Sequence, residues 1–233
     1  MYRLDSDALD AISSKADGAT RQAFTGPRSP ITHAIKRGVD IAGALVFFTL
    51  FLPLYFAVAI GVRRSSHGPA LYSQRRIGRD GRVFRFYKFR SMVVDSDEVL
   101  SSFLDSDADA RNEWETYQKL ADDPRITRFG RFIRRTSLDE LPQFWNVLRG
   151  EMSLVGPRPC MPGQERLYGP YWATYCAMKP GLTGLWQVSG RNRLSYRQRV
   201  RLDARYANEW SLWLDAKILL KTVKVVLTGD GSQ

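Results

Sequence analysis

From Ile41 to Val62 the chain runs for 22 residues without a formal charge, about the roughly 20 that a helix needs to cross a hydrocarbon core. A soluble helix is rarely apolar on every face, so the segment predicts a membrane anchor rather than a core helix. Two details bear on its path. Pro53 lies in the middle, with no N–H for the Thr49 carbonyl and a ring that crowds that turn, which predicts a bend in the membrane helix. The flanks are both basic, Lys36 and Arg37 before and Arg63 and Arg64 after, so no positive-inside preference separates the two ends. A re-entrant helix that enters, turns and leaves on one face fits both details. A bent transmembrane helix accounts for the proline alone.

The 233 residues leave room for one globular domain beside the anchor. The organisation read from the chain is a polar extension over 1–34 with no signal-like apolar run, the anchor over 35–64, a membrane-surface domain over 65–229 and a short tail over 230–233. Cys160 and Cys176 are too few for a disulfide framework, and with His33 and His67 they make no metal-ligand spacing, which argues against structural zinc. The net charge of +11 suits nucleic acid, anionic lipid or a phosphorylated small molecule. Its distribution says more. The stretch 94–123 holds ten acidic residues against Arg111 and Lys119, so the basic excess is concentrated in the remainder. No nucleic-acid-binding motif accompanies it.

Ala70–Ile77 and Val83–Phe89 are strand-like runs joined through Arg79-Asp80-Gly81, a β-hairpin signal. The acidic stretch reads as helix or loop, closed by Asp122-Asp123-Pro124. Arg125, Arg128, Arg131, Arg134 and Arg135 recur at near-helical spacing beside Phe129, Phe132 and Ile133. Such an amphipathic basic face can hold a diphosphate through charge-assisted hydrogen bonds, or dock on anionic lipid. Gly156-Pro157-Arg158-Pro159 and Lys179-Pro180-Gly181-Leu182-Thr183-Gly184 are rigid segments carrying a basic residue, each a phosphate clamp or a turn. Ser211–Leu227 places Lys217, Lys221 and Lys224 on one face of an apolar helix, suited to the headgroup plane or to the domain core. The fold class is therefore α+β, mainly helical, with a membrane helix, a small β-hairpin and interfacial amphipathic helices.

The chemistry concentrates in Thr136-Ser137-Leu138-Asp139-Glu140-Leu141-Pro142-Gln143, an adjacent carboxylate pair within an arginine-rich surface. Adjacent helical residues diverge by about 100°, so the two would take different work. One can attack phosphorus while its neighbour holds a metal or manages a proton, and nearby arginines would keep both ionised and able to bind Mg²⁺. The same residues also spell helix capping, since Ser137 and Glu140 have capping-box spacing and Asp139 can be an N-cap. A helix N-terminus would itself favour phosphate.

Lys88-Phe89-Arg90-Ser91-Met92, the Ser137–Val147 run SLDELPQFWNV, MSLVGPRP from Met152 to Pro159, and KPGLTG resemble the bacterial sugar transferase family, the monotopic phosphoglycosyl transferases. The resemblance covers about Lys36 to Gly229, in the same motif order. It implies transfer of a sugar-1-phosphate, of hexose type, from a UDP-sugar to polyprenyl (undecaprenyl) phosphate, with release of UMP, at the start of an exopolysaccharide or related lipid-linked glycan. It also implies a phosphosugar intermediate on Asp139, assisted by Glu140 and Mg²⁺, and a re-entrant anchor in the bacterial inner membrane with the active site on its cytoplasmic face. Longer members carry further transmembrane helices before this region, so the chain resembles the short, catalytic-core form. On this reading Asp139 and Glu140 hold the metal, and Lys88, Arg90, Arg158 and Arg191 hold the phosphates. An amphipathic, aromatic-rich surface is compatible with a homodimer.

Two other classes are weighed against it. Asp95-Ser96-Asp97 and Asp105-Ser106-Asp107 offer the metal motif of an ordinary glycosyltransferase, which would release UDP, although such spacings arise by composition in an acidic stretch. A non-enzymatic membrane adaptor or nucleic-acid binder would bind without turnover.

Overall fold

A computed structural model describes residues 29–117, 120–190 and 194–228. The expected tail and most of the expected N-terminal extension lie outside the described residues, as does Arg191. Helix α1 spans Pro30–Ser65 as one 36-residue element. Proline at its first position suits a helix start, where the missing N–H has no intrahelical partner to lose. Pro53 does not interrupt it; the helix forgoes the one bond that proline cannot donate and continues. The helix is long and apolar enough to cross a membrane by length and composition.

Its surroundings are two-sided. Leu45, Val46, Leu50, Leu52, Phe56 and Ile60 are exposed, whereas Asp40, Ala44, Val58 and Val62 are buried against the domain. The start of α1 is tied down by polar groups. Lys36 pairs with Asp215 at 2.6 Å and donates to the Val155 carbonyl at 3.0 Å. Arg37 donates to the Val147 and Leu148 carbonyls, and Asp40 accepts from Ser153 Oγ and the Leu154 amide, both at 2.9 Å. Farther along, Phe47 stacks on Phe144 at 3.7 Å between centroids, and Tyr55 meets Phe89. The end packs through Val58 and Val62 with Phe89, Ile133 and Leu141. The two basic flanks are therefore not equivalent: Lys36 and Arg37 are committed inside the protein, while Arg63 and Arg64 are exposed. That corrects the symmetric-flank argument made from sequence.

Strands β1 (Leu71–Ile77) and β2 (Val83–Phe89) form the expected hairpin, antiparallel with Leu71 opposite Phe89 and Ile77 opposite Val83. Asp80 and Gly81 take positive φ in its turn, +60° and +72°, which is why Asp-Gly suits the position. The open edge of β2 is closed by one side chain. Asn146, fully buried, accepts from the Tyr87 amide at 3.2 Å and donates to the Arg85 carbonyl and Glu151, both at 2.6 Å, docking the hairpin on α5 (Gln143–Arg149).

The acidic stretch is two helices, α2 (Ser96–Ser106) and α3 (Ala108–Tyr117). Helix α4 (Arg128–Arg135) is N-capped by Thr127, whose hydroxyl accepts from the Gly130 amide at 2.8 Å. After β3 (Ser153–Val155) come α6 (Glu165–Tyr168), α7 (Trp172–Cys176), β4 (Gly181–Thr183), α8 (Tyr196–Glu209) and α9 (Leu212–Thr228). Strands β3 and β4 pair in parallel, Ser153 with Gly181 and Val155 with Thr183. The segments GPRP and KPGLTG, read separately from sequence, thus form one backbone unit, closed by Gly156 N–H to the Thr183 carbonyl and Gly181 N–H to the Pro157 carbonyl, each 2.9 Å. Helix α9 packs into the core through Ile218 and presents Lys217, Lys221 and Lys224 on an exposed side with Trp213, Leu220 and Val223.

Candidate active site

Asp139 and Glu140 lie in a short 3₁₀ turn, Leu138–Glu140, between α4 and α5. The capping box suggested by Ser137 and Glu140 does not form. Ser137 has φ +57° and makes no side-chain cap bond; its amide instead donates to the Arg134 carbonyl at 3.2 Å and ends α4. A left-handed serine costs of order 1–2 kcal/mol. Backbone strain of this kind gathers where geometry matters more than local preference, and here it turns the chain so that both carboxylates line one cleft.

The cleft encloses about 960 Å³, near the upper end of ligand pockets, roughly 300–1,000 Å³. The same cleft is lined by Lys88 from the end of β2, Arg134 from α4, Arg76 from β1 and Arg158 from the loop after β3. Burial raises the Asp139 pKa above the ordinary carboxyl value, and the charges of Lys88 and Arg134 oppose that rise. Burial lowers the Lys88 pKa, with Arg134 adding to the fall and Asp139 opposing it. Arg134 Nε donates to Ser91 Oγ at 2.8 Å, so Ser91 of the KFRSM motif orients a cation at the carboxylates. Arg76 donates to the Pro159 carbonyl at 3.0 Å; burial, and then the nearby Arg158 charge, lower its pKa to about 10.

The sequence-derived candidates divide accordingly. Asp139, Glu140, Lys88 and Arg158 come together in the cleft. Arg90 does not line it: its guanidinium is buried beneath the end of α1 and donates to the Ser66 carbonyl at 2.8 Å. Its place in KFRSM beside Lys88 suggested a phosphate ligand, but β2 ends at Phe89, so the alternation that would put Arg90 on the Lys88 face does not continue to it. Of the arginine face expected to hold a diphosphate, Arg131, Arg134 and Arg135 line the cleft, whereas Arg76 is a cleft residue not named from sequence. The signal for Arg76 was present, since Arg76 and Lys88 have the parity of one hairpin face. The Asp-x-Asp pairs sit at the termini of α2 and α3, where Asp107 Oδ1 accepts from the Ala110 amide at 2.9 Å, and none of the four aspartates lines the cleft.

Among the described residues no cluster of three or more His, Cys, Asp or Glu is arranged to hold a metal. The donor set nonetheless fits Mg²⁺. That ion prefers oxygen ligands, keeps several waters and is usually held by one or two carboxylates together with substrate phosphates; Asp139 and Glu140 supply the carboxylates.

The bacterial sugar transferase family model matches residues 31–229. Over 198 residues the chain is 54% identical to the UDP-galactose-lipid carrier transferase of Erwinia amylovora and 51% identical to the undecaprenyl-phosphate galactose phosphotransferase of Salmonella typhimurium. Each match covers 85% of this chain and 41% of the relative, so the chain spans about two fifths of their length. It is 45% identical over 208 residues to the exopolysaccharide production protein ExoY of Rhizobium meliloti, covering 89% of this chain and 92% of that one.

Proposed function

This chain belongs to the bacterial sugar transferase family, and we propose that it transfers a hexose-1-phosphate from a UDP-sugar to undecaprenyl phosphate, releasing UMP, as the first membrane step of exopolysaccharide or related glycan assembly. The observation that carries the reading is the Asp139-Glu140 pair in a cation-lined cleft, in a chain similar to proteins named for this chemistry. A carboxylate oxygen of Asp139 attacks the phosphorus that bears the sugar; the new Asp–O–P bond forms as the P–O–P bond breaks, and UMP leaves with the bonding electrons. A phosphate oxygen of the lipid then attacks the same phosphorus, forming the lipid diphosphate and freeing the carboxylate. Splitting the transfer this way lets a water-soluble donor and a lipid acceptor use the site in turn.

Lys88, Arg134 and Arg158 are assigned to hold the donor diphosphate and balance the charge that develops on UMP. Asp139 and Glu140 would hold Mg²⁺, which when bound supplies further charge neutralisation at the diphosphate. The packing of α1 supports the one-leaflet placement. The domain meets this helix at both ends, from Lys36 to Phe47 and from Leu54 to Val62, while residues 49–53 around Pro53 are exposed on every side; contact at both ends with a free apolar middle suits a helix whose two ends stay at one membrane face. Both ends would then lie on the cytoplasmic side of the inner membrane, where the cleft meets the nucleotide sugar.

The direct test incubates the purified protein with undecaprenyl phosphate, Mg²⁺ and a panel of UDP-sugars. UMP release with UDP-glucose or UDP-galactose, and the matching sugar on lipid, is expected; UDP as the only nucleotide product would defeat the proposal.

The two shifted groups set the pH range. Asp139 must be anionic to attack, so kcat/KM should fall on the acid side at a pH above the ordinary aspartate range. Lys88 must be cationic, so the alkaline limb should lie below the ordinary lysine pKa. Lys88→Arg keeps its charge to higher pH and is expected to move that limb up. An unmoved limb would assign it to another group.

A further inference from the structure

Asp203 of α8 does not line the cleft, yet it is 1% exposed and no ion pair within 4 Å neutralises it among the described residues. Its Oδ2 accepts from Tyr168 Oη at 3.0 Å, and its Oδ1 has no hydrogen-bond partner. A buried carboxylate left this way costs several kcal/mol and persists only where something offsets the cost. The groups that favour its anion after Tyr168 are the backbone amide of Arg158 and the guanidinium groups of Arg199 and Arg158. Both arginines lie over the ring of Trp186, Arg158 at 5.1 Å and Arg199 at 4.4 Å from its centroid. Arg199 stands one turn before Asp203 on the same face of α8, so the carboxylate lies on the side of this pair from which it relieves the repulsion between two like charges on one indole.

We infer that Asp203 is a positioning residue of the donor site: with Arg199 and Trp186 it holds Arg158 in the orientation that faces the cleft. The inference rests on the assignment of Arg158 to the donor diphosphate. It also gives function and stability opposite signs. Burial pushes the Asp203 pKa up to about 7, so the group favours folding below its ordinary pKa and loses that contribution as pH rises through about 7. At pH 8 the ionised carboxylate is therefore a cost to the fold, and an isosteric amide that keeps the Tyr168 contact removes it.

Asp203→Asn is accordingly expected to raise KM for the UDP-sugar about tenfold, the lower end of what losing a supporting shell costs, with kcat within about twofold and a melting temperature at pH 8 equal to or above the parent. In the Arg158→Ala background the same substitution should add little to KM. If Arg158→Ala itself leaves KM unchanged, the assignment of Arg158 to the diphosphate fails. If Arg158→Ala raises KM and Asp203→Asn does not, the positioning role fails while the donor site stands. A destabilised or unfolded Asp203→Asn protein also overturns the inference, because it would make the carboxylate a structural group.

Discussion

Asp139→Asn is expected to lower UMP release by on the order of 10⁴-fold or more, the scale on which removal of a covalent nucleophile acts. An amide of the same shape cannot serve as the anionic nucleophile, while Lys88, Arg134 and Arg158 remain to bind the donor. KM or donor binding should therefore change far less than turnover. Stability should move the other way. Burial raises the Asp139 pKa above its unfolded value despite the opposing charges of Lys88 and Arg134; a carboxyl with a raised folded pKa loses its stabilising contribution as pH rises through that pKa. At neutral pH the asparagine variant should then melt at or above the parent temperature. Mass measurement of intact protein given donor alone adds a third readout, a phosphosugar adduct on the parent and none on the variant. Near-normal turnover in Asp139→Asn would sink the covalent mechanism outright, whereas lost turnover with lost folding would leave the nucleophile unassigned.

The elements that the chain announces clearly are those with local causes. The hairpin was legible to within a residue because its strand-like runs and its Asp-Gly turn are properties of adjacent residues, and the long apolar helix was legible because an uncharged run of this length reads directly from the chain. The Ser137–Glu140 turn was misleading for the same reason: capping-box spacing is a local signal, and here the end of α4 and the left-handed Ser137 override it. What could not be read is what depends on distant partners. Arg90 reaches the carbonyl of Ser66, 24 positions away, and Ser91 orients Arg134 across 43. Lys36, read as a flank charge on the membrane helix, meets Asp215 across 179 positions. The Asp139 side of the site was visible as a cluster of residue types; which cations face it was decided by the fold.

The β3–β4 unit gives the largest expected effect on stability. Gly181→Ala places a methyl group against the amide and Cα of Gly156 and the Thr183 carbonyl. All three neighbours are backbone, so no side-chain rotation can make room; the parallel pair must separate. Gly156 is equally enclosed, by the Lys179 carbonyl and the Gly181 amide, which means that neither strand can yield toward the other. Since Arg158 follows this pair directly and Leu182 lies within it, both lining the cleft, separation would also displace the donor site. A loss above about 4 kcal/mol, in the exceptional range for one substitution, is expected, together with lost UMP release. Gly81→Ala is the matched control. Gly81 has φ +72° and open space around its Cα, so alanine there pays only for the left-handed backbone, about 1–2 kcal/mol. Thermal unfolding in one detergent at one scan rate compares the two without requiring reversibility. Gly181→Ala should melt far below Gly81→Ala or fail to fold. Equal melting temperatures would mean that the close approach of the GPRP and KPGLTG segments is not what holds this end of the cleft.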